Sequence, residues 1–166
     1  MLGSVIIRPA TPADWPAMWS FMEGIVRAGD TFCWDTAMTS GETIQYWLRP
    51  FPARAVVAVD PDGTILGTAE TGPNKGGPGA HIASAGFMVD PAHGGRGVGR
   101  ALAEHVLAAA RADGYLGLQF NAVAASNTRA VALWQSVGMA ILCTVPDGFR
   151  HPTQGLTGLH IMYQRL

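Results

Sequence analysis

Four glycines surround a single arginine within residues 94–99, in the segment PAHGGRGVGRAL that covers 91–102. Glycine beside a helix costs about 0.5 to 1 kcal/mol relative to alanine, so this composition lowers helix stability. The first N–H groups of a helix lack partners within it, and the helix dipole places about half a positive charge there. Glycines leave those N–H groups open to an anion. The segment therefore predicts a backbone cradle for phosphate; a tight turn without a ligand is the alternative.

Two common phosphate motifs do not match this segment. A P-loop requires a lysine followed by a hydroxyl residue, which is missing here. A dinucleotide fingerprint requires GxGxxG, but the sixth position is Arg100 when counted from Gly95 and Leu102 when counted from Gly97. The acidic residue that should follow about 20 positions later is also missing. ATP and NAD are therefore disfavoured as ligands.

The elements that must position this turn alternate along the chain. An apolar strand, HIASAGFMVD, leads into the turn, and a helix of about 15 residues follows it. Helix signals occur in TPADWPAMWSFMEGIVRAG, TSGETIQYWL and SNTRAVALWQSVG, and strand signals in SVIIRPA, RAVVAVD, TILGTAET, LGLQFNAV, MAILCTV and GLHIMYQRL. The last two strands are predicted to be separated by a long loop, PDGFRHPTQGLT. We expect one α/β domain over residues 1–166, with no linker or repeat.

The composition excludes several classes of partner. Charged residues make up 14% of the chain, and 11 Lys and Arg balance 12 Asp and Glu, so no basic surface predicts a nucleic-acid partner. No apolar run predicts a membrane span, and the N-terminus lacks the pattern of a signal peptide. Cys33 and Cys143 have no metal-ligand spacing, so we expect buried thiols, no metal and a cytoplasmic location. The low charge favours a deep ligand cleft or a homodimer.

The turn and the strand before it resemble the acetyl-CoA cradle of the GNAT superfamily of N-acetyltransferases. That cradle is commonly Q/R-x-x-G-x-G/A after a strand carrying V-x-P, and the matching residues here are Val89, Pro91, Gly97, Val98, Gly99 and Leu102. Gly94 stands where the family has Gln or Arg. The later segment NTRAVALWQSVGM is similar to the family's N-x-x-A-x-x-L-Y-x-x-x-G-F element, and IRPATPAD is similar to its usual opening. The resemblance covers essentially the whole chain.

The resemblance implies a central, mostly antiparallel, splayed β-sheet flanked by helices. It implies that acetyl-CoA is the cosubstrate, with its pyrophosphate on the glycine turn and its pantetheine arm along the preceding strand. One N–H of that strand is expected to support the thioester oxygen. The residues expected to bind acetyl-CoA are Phe87, Met88, Val89, Gly95, Arg96, Gly97, Val98, Gly99, Arg100 and Asn127.

The implied reaction is direct attack of an amine on the acetyl thioester, which requires loss of a proton from the amine. Trp134 stands where many relatives have an acid tyrosine, and Ser84 where small-molecule relatives often have a glutamate. Glu70, at the end of a predicted strand, is our first candidate for the base. His81 is the second, as a proton relay. Cys143 is a candidate replacement for the missing acid.

The acceptor side is predicted from the region between the first two helices. Phe32 and Trp34 lie in the loop DTFCWD and are expected to contact the substrate, with Glu23 or Asp35 binding its ammonium group. His151, in the long loop before the last strand, is a further candidate for substrate contact. This composition favours a small, partly apolar amine over an aminoglycoside, which would need an acidic cleft.

Three other interpretations remain open at the level of sequence. A protein or peptide N-acetyltransferase would need an open groove. A non-catalytic acyl-CoA sensor is suggested by Trp134 and by the missing strand glutamate. A generic nucleotide-binding module would require ATP or NAD to stabilise the fold better than CoA.

Overall fold

The computed structural model describes residues 5–166, which form one seven-stranded mixed sheet flanked by four α-helices. The order of strands across the sheet is β1-β2-β3-β4-β5-β7-β6. The elements are β1 (Ile6–Pro9), α1 (Trp15–Ala28), α2 (Ser40–Trp47), β2 (Arg54–Val59), β3 (Ile65–Pro73), β4 (Ile82–Val89), α3 (Val98–Ala112), β5 (Gly117–Ala124), α4 (Thr128–Ser136), β6 (Ala140–His151) and β7 (Gly155–Arg165). The predicted order of helices and strands is confirmed. Residues 1–4, which include the start of the first predicted strand and part of the N-terminal segment that is expected to lack a signal peptide, lie outside the described residues.

Helices cover both faces of the sheet. On one face, α1 and α2 bury Met18, Met22 and Trp47 against β2 and β4. On the other face, α3 packs Val98, Leu102 and Val106 against the centre of the sheet. A third apolar cluster joins α3 and α4 to β5 and β7. The helices α1 and α2 thus pack on a core separate from the two clusters beneath α3 and α4.

Strands β4 and β5 separate in the middle of the sheet. They are parallel neighbours, but their pairing is limited to Ile82 with Gly117 and Ala83 with Leu118. Beyond these two pairs, no residue of β4 pairs with β5 in the part of the chain that is described. Every other pairing of strands is antiparallel. The predicted splay is thus confirmed, and it opens after Ala83.

The register of β3 and β4 determines which backbone groups face this opening. The N–H of Asn74 donates to the carbonyl of Ile82 (2.8 Å), and that of Asp90 to the carbonyl of Leu66 (2.9 Å). In an antiparallel pair the bonded residues alternate, so the even-numbered residues of β4 bond to β3. The N–H and C=O groups of Phe87 and Val89 therefore point away from β3, into the opening.

The predicted loop PDGFRHPTQGLT is wrong, because most of it is strand. β6 continues to His151 and β7 begins at Gly155, which leaves a short turn between them. A register shift between Val145 and Phe149 accommodates Pro146–Gly148, and Asp147 takes a positive φ of 55° there. The pairing with β7 thus overrides residues that are typical of a turn.

Two further expectations concern exposure and the membrane. Cys33 and Cys143 are both exposed free thiols, so the prediction that they are buried is wrong. Cys33 lies in the loop after α1, and Cys143 lies on the edge strand β6, which among residues 5–166 pairs with β7 alone. Within residues 5–166, no helix is long and apolar enough to cross a membrane.

Candidate active site

The glycine turn presents open backbone at the start of α3. Gly95 and Gly97 have positive φ values of 79° and 77°, which favour glycine. A Cβ atom on Gly95 would have no neighbour within 4 Å among the described residues. Within residues 5–166, the N–H groups of residues 95–100 donate to no acceptor, and no side chain caps the helix at Gly97. Unpaired N–H groups at the start of a helix can bind an anion.

The side chains around this turn are held by neighbours. Arg96 Nη1 lies 3.1 Å from His93 Nδ1, and Arg100 Nη2 donates to Ser136 Oγ on α4 at 2.8 Å. Arg96 and Arg100 can therefore offer their backbone N–H groups to a ligand while their side chains are engaged elsewhere. Gly99 has a different reason for being glycine: a Cβ atom there would lie 3.2 Å from Leu133, so α3 and α4 approach closely at this point.

The residues expected along the pantetheine arm divide into two groups. Phe87 and Val89 have backbone groups free in the opening between β4 and β5, as the register requires. The backbone of Met88 bonds to Thr68 on β3, and its side chain is buried in the core beneath α1. Asn127 caps α4, because its Oδ1 accepts from the N–H of Ala130 at 3.3 Å. Phe87 and Val89 are therefore the two that can pair with an extended ligand.

Trp134 fills the base of the opening. Its ring centroid lies 4.7 Å from that of Phe87 on β4 and 5.0 Å from that of Phe120 on β5. The side chain is buried, and an indole cannot donate a proton to a leaving group. The tryptophan at this position thus packs the two diverging strands against α4.

Glu70 is held over β4 by an arginine from a different element. Arg49, two residues after the end of α2, forms an ion pair with Glu70 through Nη2 and Oε2. The other carboxylate oxygen, Oε1, lies over Gly86 on β4. Burial raises the pKa of Glu70, while the charge and hydrogen bond of Arg49 and the N–H of Gly86 oppose that rise. The Glu70 side chain is 16% exposed, and its carboxylate lies over β4, the strand that borders the opening.

An aromatic wall extends from Glu70 toward the loop after α1. We define it as Phe32, Trp34, Tyr46 and Trp47. Trp47 is buried, donates from Nε1 to Thr68 Oγ1 at 2.9 Å, and contacts the position above Gly86. Phe32 and Trp34 are partly buried, with ring centroids 4.8 Å apart. Their predicted place beside the substrate cleft is therefore compatible with the structure.

Several predicted residues are not brought to Glu70. His81 is exposed at the start of β4, five residues and about 17 Å of strand from Gly86. His151 closes the turn between β6 and β7, where its Nδ1 accepts from the N–H groups of Thr153 and Gln154, each at 3.2 Å. Cys143 lies on the edge strand. The roles predicted for these three residues stay predictions.

The two acidic candidates for the ammonium group have partners of their own. Glu23 forms an exposed ion pair with Arg27 at 3.2 Å. Asp35 accepts from the N–H of Ala37 at 2.8 Å. Arg49, in contrast, was missed by sequence reasoning, because a cation just after a helix is usually explained by the helix dipole. A 21-residue separation from Glu70 carries no local signal.

Comparison with known proteins decides the family. The model of the acetyltransferase (GNAT) family matches residues 17–139, which include the glycine turn, Glu70 and α4. The chain belongs to the GNAT acetyltransferase family. A curated relative, an N-acetyltransferase of Schizosaccharomyces pombe, is 28% identical over 144 residues, covering 78% of this chain and 69% of the relative. This GNAT acetyltransferase is therefore an acetyl-CoA-dependent enzyme.

Solved structures agree with the fold. A GCN5-related N-acetyltransferase from Kribbella flavida is 48% identical, with a TM-score of 0.95 and 98% of each chain covered. A phosphinothricin acetyltransferase from Sinorhizobium meliloti, solved in complex with acetyl-CoA, is 18% identical, with a TM-score of 0.87. The two structures superimpose over 100% of this GNAT acetyltransferase and 89% of the Sinorhizobium meliloti chain. At that identity, the likeness shows the fold alone.

The geometry of this GNAT acetyltransferase fits acetyl-CoA. The free N–H groups of residues 95–100 suit a pyrophosphate, and the free backbone of Phe87 and Val89 suits the two amide groups of a pantetheine arm. When bound, acetyl-CoA supplies an activated acetyl group: an N–C bond forms to the acceptor amine, the C–S bond breaks, and CoA leaves as the thiol.

Proposed function

We propose that this N-acetyltransferase acetylates the primary amine of a small, partly apolar molecule. The observation that carries the proposal is the position of Glu70, whose partly buried carboxylate lies over β4, beside the aromatic wall. An amine seated against the wall would have the carboxylate and the open backbone of β4 on either side. The acceptor site and the acetyl-CoA site would then meet at Gly86.

The two carboxylate oxygens of Glu70 have separate tasks in this proposal. Oε2 is fixed by Arg49, which keeps the side chain in one orientation. Oε1 is the oxygen that takes a proton from the acceptor nitrogen, directly or through one water. Because burial raises the pKa of Glu70, its carboxylate is a stronger base than an exposed glutamate would be.

The backbone of β4 would stabilise the charge that develops during transfer. A free N–H of Phe87 or Val89 can donate to the carbonyl oxygen as it becomes negative. No side chain is assigned as the acid. Trp134 cannot donate a proton, and Cys143 lies on the edge strand, so solvent is the proton source for the departing thiolate.

An assay with a panel of candidate acceptor amines tests this proposal. Purified protein is mixed with acetyl-CoA and with amino acids, amino acid amides, arylalkylamines, polyamines, aminoglycosides and short peptides, and free thiol is measured. We expect release with arylalkylamines or amino acid amides. Release with short peptides alone would instead support a protein or peptide acceptor. A homodimer also stays a prediction, which sedimentation equilibrium tests directly.

A further inference from the structure

Three side-chain amides form a hydrogen-bonded cluster that has no role in the reaction described so far. Asn121 Nδ2 donates to Asn74 Oδ1 at 2.6 Å, and Asn74 Nδ2 donates to Asn121 Oδ1 at 3.3 Å. Gln119 Nε2 donates to the same Asn121 oxygen at 2.9 Å. We call Asn74, Gln119 and Asn121 the amide cluster. It joins the end of β3 to β5, across 47 residues of chain.

The amide cluster lies on the same face of the sheet as Glu70. Leu118 and Phe120 of β5 pack into the core formed with α3 and α4, so the alternating side chains of Gln119 and Asn121 point to the opposite face. Asn74 pairs with Ile82 at the start of β4, so its contact with Asn121 crosses over β4. Gln119 is the first residue of β5 after its last pair with β4. The cluster therefore borders the opening on the side away from the aromatic wall.

The cluster keeps hydrogen-bonding capacity that the described residues do not use. Each amide nitrogen has two hydrogens, and among residues 5–166 only one hydrogen of each finds an acceptor. The oxygen of Gln119 accepts no hydrogen bond from this part of the chain. Asn121 is exposed and Gln119 is partly exposed. The cluster can thus both donate to and accept from a molecule in the cleft.

Charge limits which molecules fit. Arg49 is already paired with Glu70, and its Nη2 lies 3.3 Å from the position of a Cβ atom on Gly72, beside Ser84 on β4. The three amides are neutral. A carboxylate next to the cluster would face the Glu70 carboxylate without a free cation from these residues. A neutral group that has both a donor and an acceptor matches the cluster better.

We infer that the amide cluster binds a neutral polar substituent of the acceptor, a carboxamide or a hydroxyl, and so directs its amine to Glu70. This inference rests on the proposed function and names the acceptor class: an amine with an apolar body on one side and a neutral hydrogen-bonding group on the other. Asn121 is the central residue of the cluster, because its side chain bonds to both other members.

The test compares two acceptors that share a benzyl group and a primary amine. L-phenylalaninamide carries a carboxamide, and 2-phenylethylamine carries hydrogen at the same carbon. We expect Asn121→Ala to lower kcat/KM for L-phenylalaninamide by about 10-fold, chiefly through KM, and for 2-phenylethylamine by less than about 2-fold. For each acceptor, kcat/KM of Asn121→Ala is divided by that of the wild type, so the different basicities of the two amines do not affect the comparison. Gln154→Ala, at the exposed turn between β6 and β7, is the matched control.

The outcomes separate this inference from the proposed function. The Kd for acetyl-CoA, measured by calorimetry, should be the same in Asn121→Ala as in the wild type. An equal loss of kcat/KM with both acceptors, or no loss with either, would overturn the inference and leave the proposed function intact. A preference for L-phenylalanine over its amide, abolished by Arg49→Gln, would assign recognition to Arg49 instead. If no amine of the panel is acetylated, the proposed function fails first, and the inference fails with it.

Discussion

Glu70 on β3 and Gly86 on β4 lie opposite each other, and Glu70 Oε1 is 3.1 Å from the position that a Cβ atom on Gly86 would occupy. Atom Cζ3 of Trp47 lies 3.3 Å from the same position. The carboxylate and the indole can therefore approach the backbone of β4 this closely because position 86 has no side chain. Any residue larger than glycine must move one of the two.

Gly86→Ala is expected to lower kcat by about 10-fold, because a displacement of a few tenths of an ångström misplaces the proposed base. The Kd for acetyl-CoA should be unchanged, since the backbone of Phe87 and Val89 remains in place. Gly24→Ala, on α1 with no neighbour within 4 Å of the new Cβ atom, is the control and should retain full activity. A fully active Gly86→Ala enzyme would show that the reaction does not depend on this contact.

Glu70→Gln is expected to lower kcat/KM by about 100-fold or more at neutral pH, because the amide cannot accept a proton. In the wild type, log kcat/KM should rise with a slope of 2 at low pH, since the acceptor must react as the neutral amine and Glu70 must be ionised to take a further proton as the N–C bond forms. The slope should fall to 1 above the pKa of Glu70. Burial raises that pKa, so the break should lie above the ordinary value of about 4.3.

The pH profile of Glu70→Gln should have a slope of 1 throughout, because only the amine still titrates. Asp62→Asn, at the exposed turn between β2 and β3, is the control and should keep the break. A break that persists in Glu70→Gln would assign the proton acceptor to another group, and His81→Gln is then the next variant to measure.

Gly95→Ala and Gly63→Ala form a matched pair for the phosphate cradle. Both glycines have positive φ values, 79° and 85°, and in the part of the chain that the structure describes a Cβ atom on either would have no neighbour within 4 Å. Each substitution should therefore cost about 1 to 2 kcal/mol of unfolding free energy, measured in urea. Only Gly95→Ala should weaken acetyl-CoA binding by calorimetry. Equal affinities in the two variants would mean that the pyrophosphate lies elsewhere.

Asp14→Asn tests the ion pair at the start of α1. Arg8 donates to both oxygens of Asp14, at 2.7 and 2.8 Å, and the N–H of Thr11 donates at 2.7 Å. These bonds hold the pKa of Asp14 well below its usual range, and the bond with Arg8 has the largest effect. Burial acts in the opposite direction and raises the pKa. A lowered pKa stabilises the fold above the unfolded value of about 3.9 and loses that effect as the pH falls.

We therefore expect Asp14→Asn to lose about 1 to 2 kcal/mol of unfolding free energy at pH 7, allowing for solvent at the partly exposed Arg8. The difference from the wild type should shrink steadily below about pH 4. Urea unfolding across this range measures it. A difference independent of pH would show that the Asp14 charge contributes nothing.

Trp134→Phe asks whether the indole has a chemical role. The smaller ring leaves a gap against Phe87 and Phe120, so we expect a loss of about 1 to 2 kcal/mol in unfolding free energy. The value of kcat should remain within about 3-fold of the wild type, because no proton passes through the indole in the proposed reaction. A much larger fall in kcat, with acetyl-CoA affinity retained, would give Trp134 a part in the transfer step.

The elements of this fold are largely predictable because their signals are local. The capping box of α2 is one example: Thr39 and Glu42 stand three residues apart, and the structure contains both of the expected bonds. The glycine turn is another, since the strand, the turn and the helix are continuous in the chain. The hairpin of β6 and β7 is the exception. Its turn-like residues, Pro146 and Gly148, lie in a bulge of β6, because Val145 and Phe149 on either side of them both pair with β7.

The contacts between side chains at the proposed acceptor site could not be predicted from the sequence. The pair of Arg49 and Glu70 joins residues 21 positions apart, and the bond of Asn74 to Asn121 joins residues 47 apart. Such contacts depend on the register of β3, β4 and β5, and periodicity within one strand does not report the register between strands. The sequence pointed to Glu70 because the predicted strand ended one residue later. In the structure β3 continues to Pro73, so the strand-end position was wrong, and the partner of Glu70 became visible only in the folded chain.

The gap between β4 and β5 also bears on solubility. An unpaired strand edge is a template on which another chain can add a strand, and proteins usually keep such edges short or covered. Here the free N–H and C=O groups of Phe87 and Val89 lie in the middle of the sheet, with β5 diverging beside them and Trp134 closing the base. Because β5 still pairs with β4 at Ile82 and Ala83, the opening is closed at that end, which disfavours the addition of a second polypeptide strand. The unpaired edge of β4 is thus less accessible to another copy of the chain than an edge at the outside of the sheet would be.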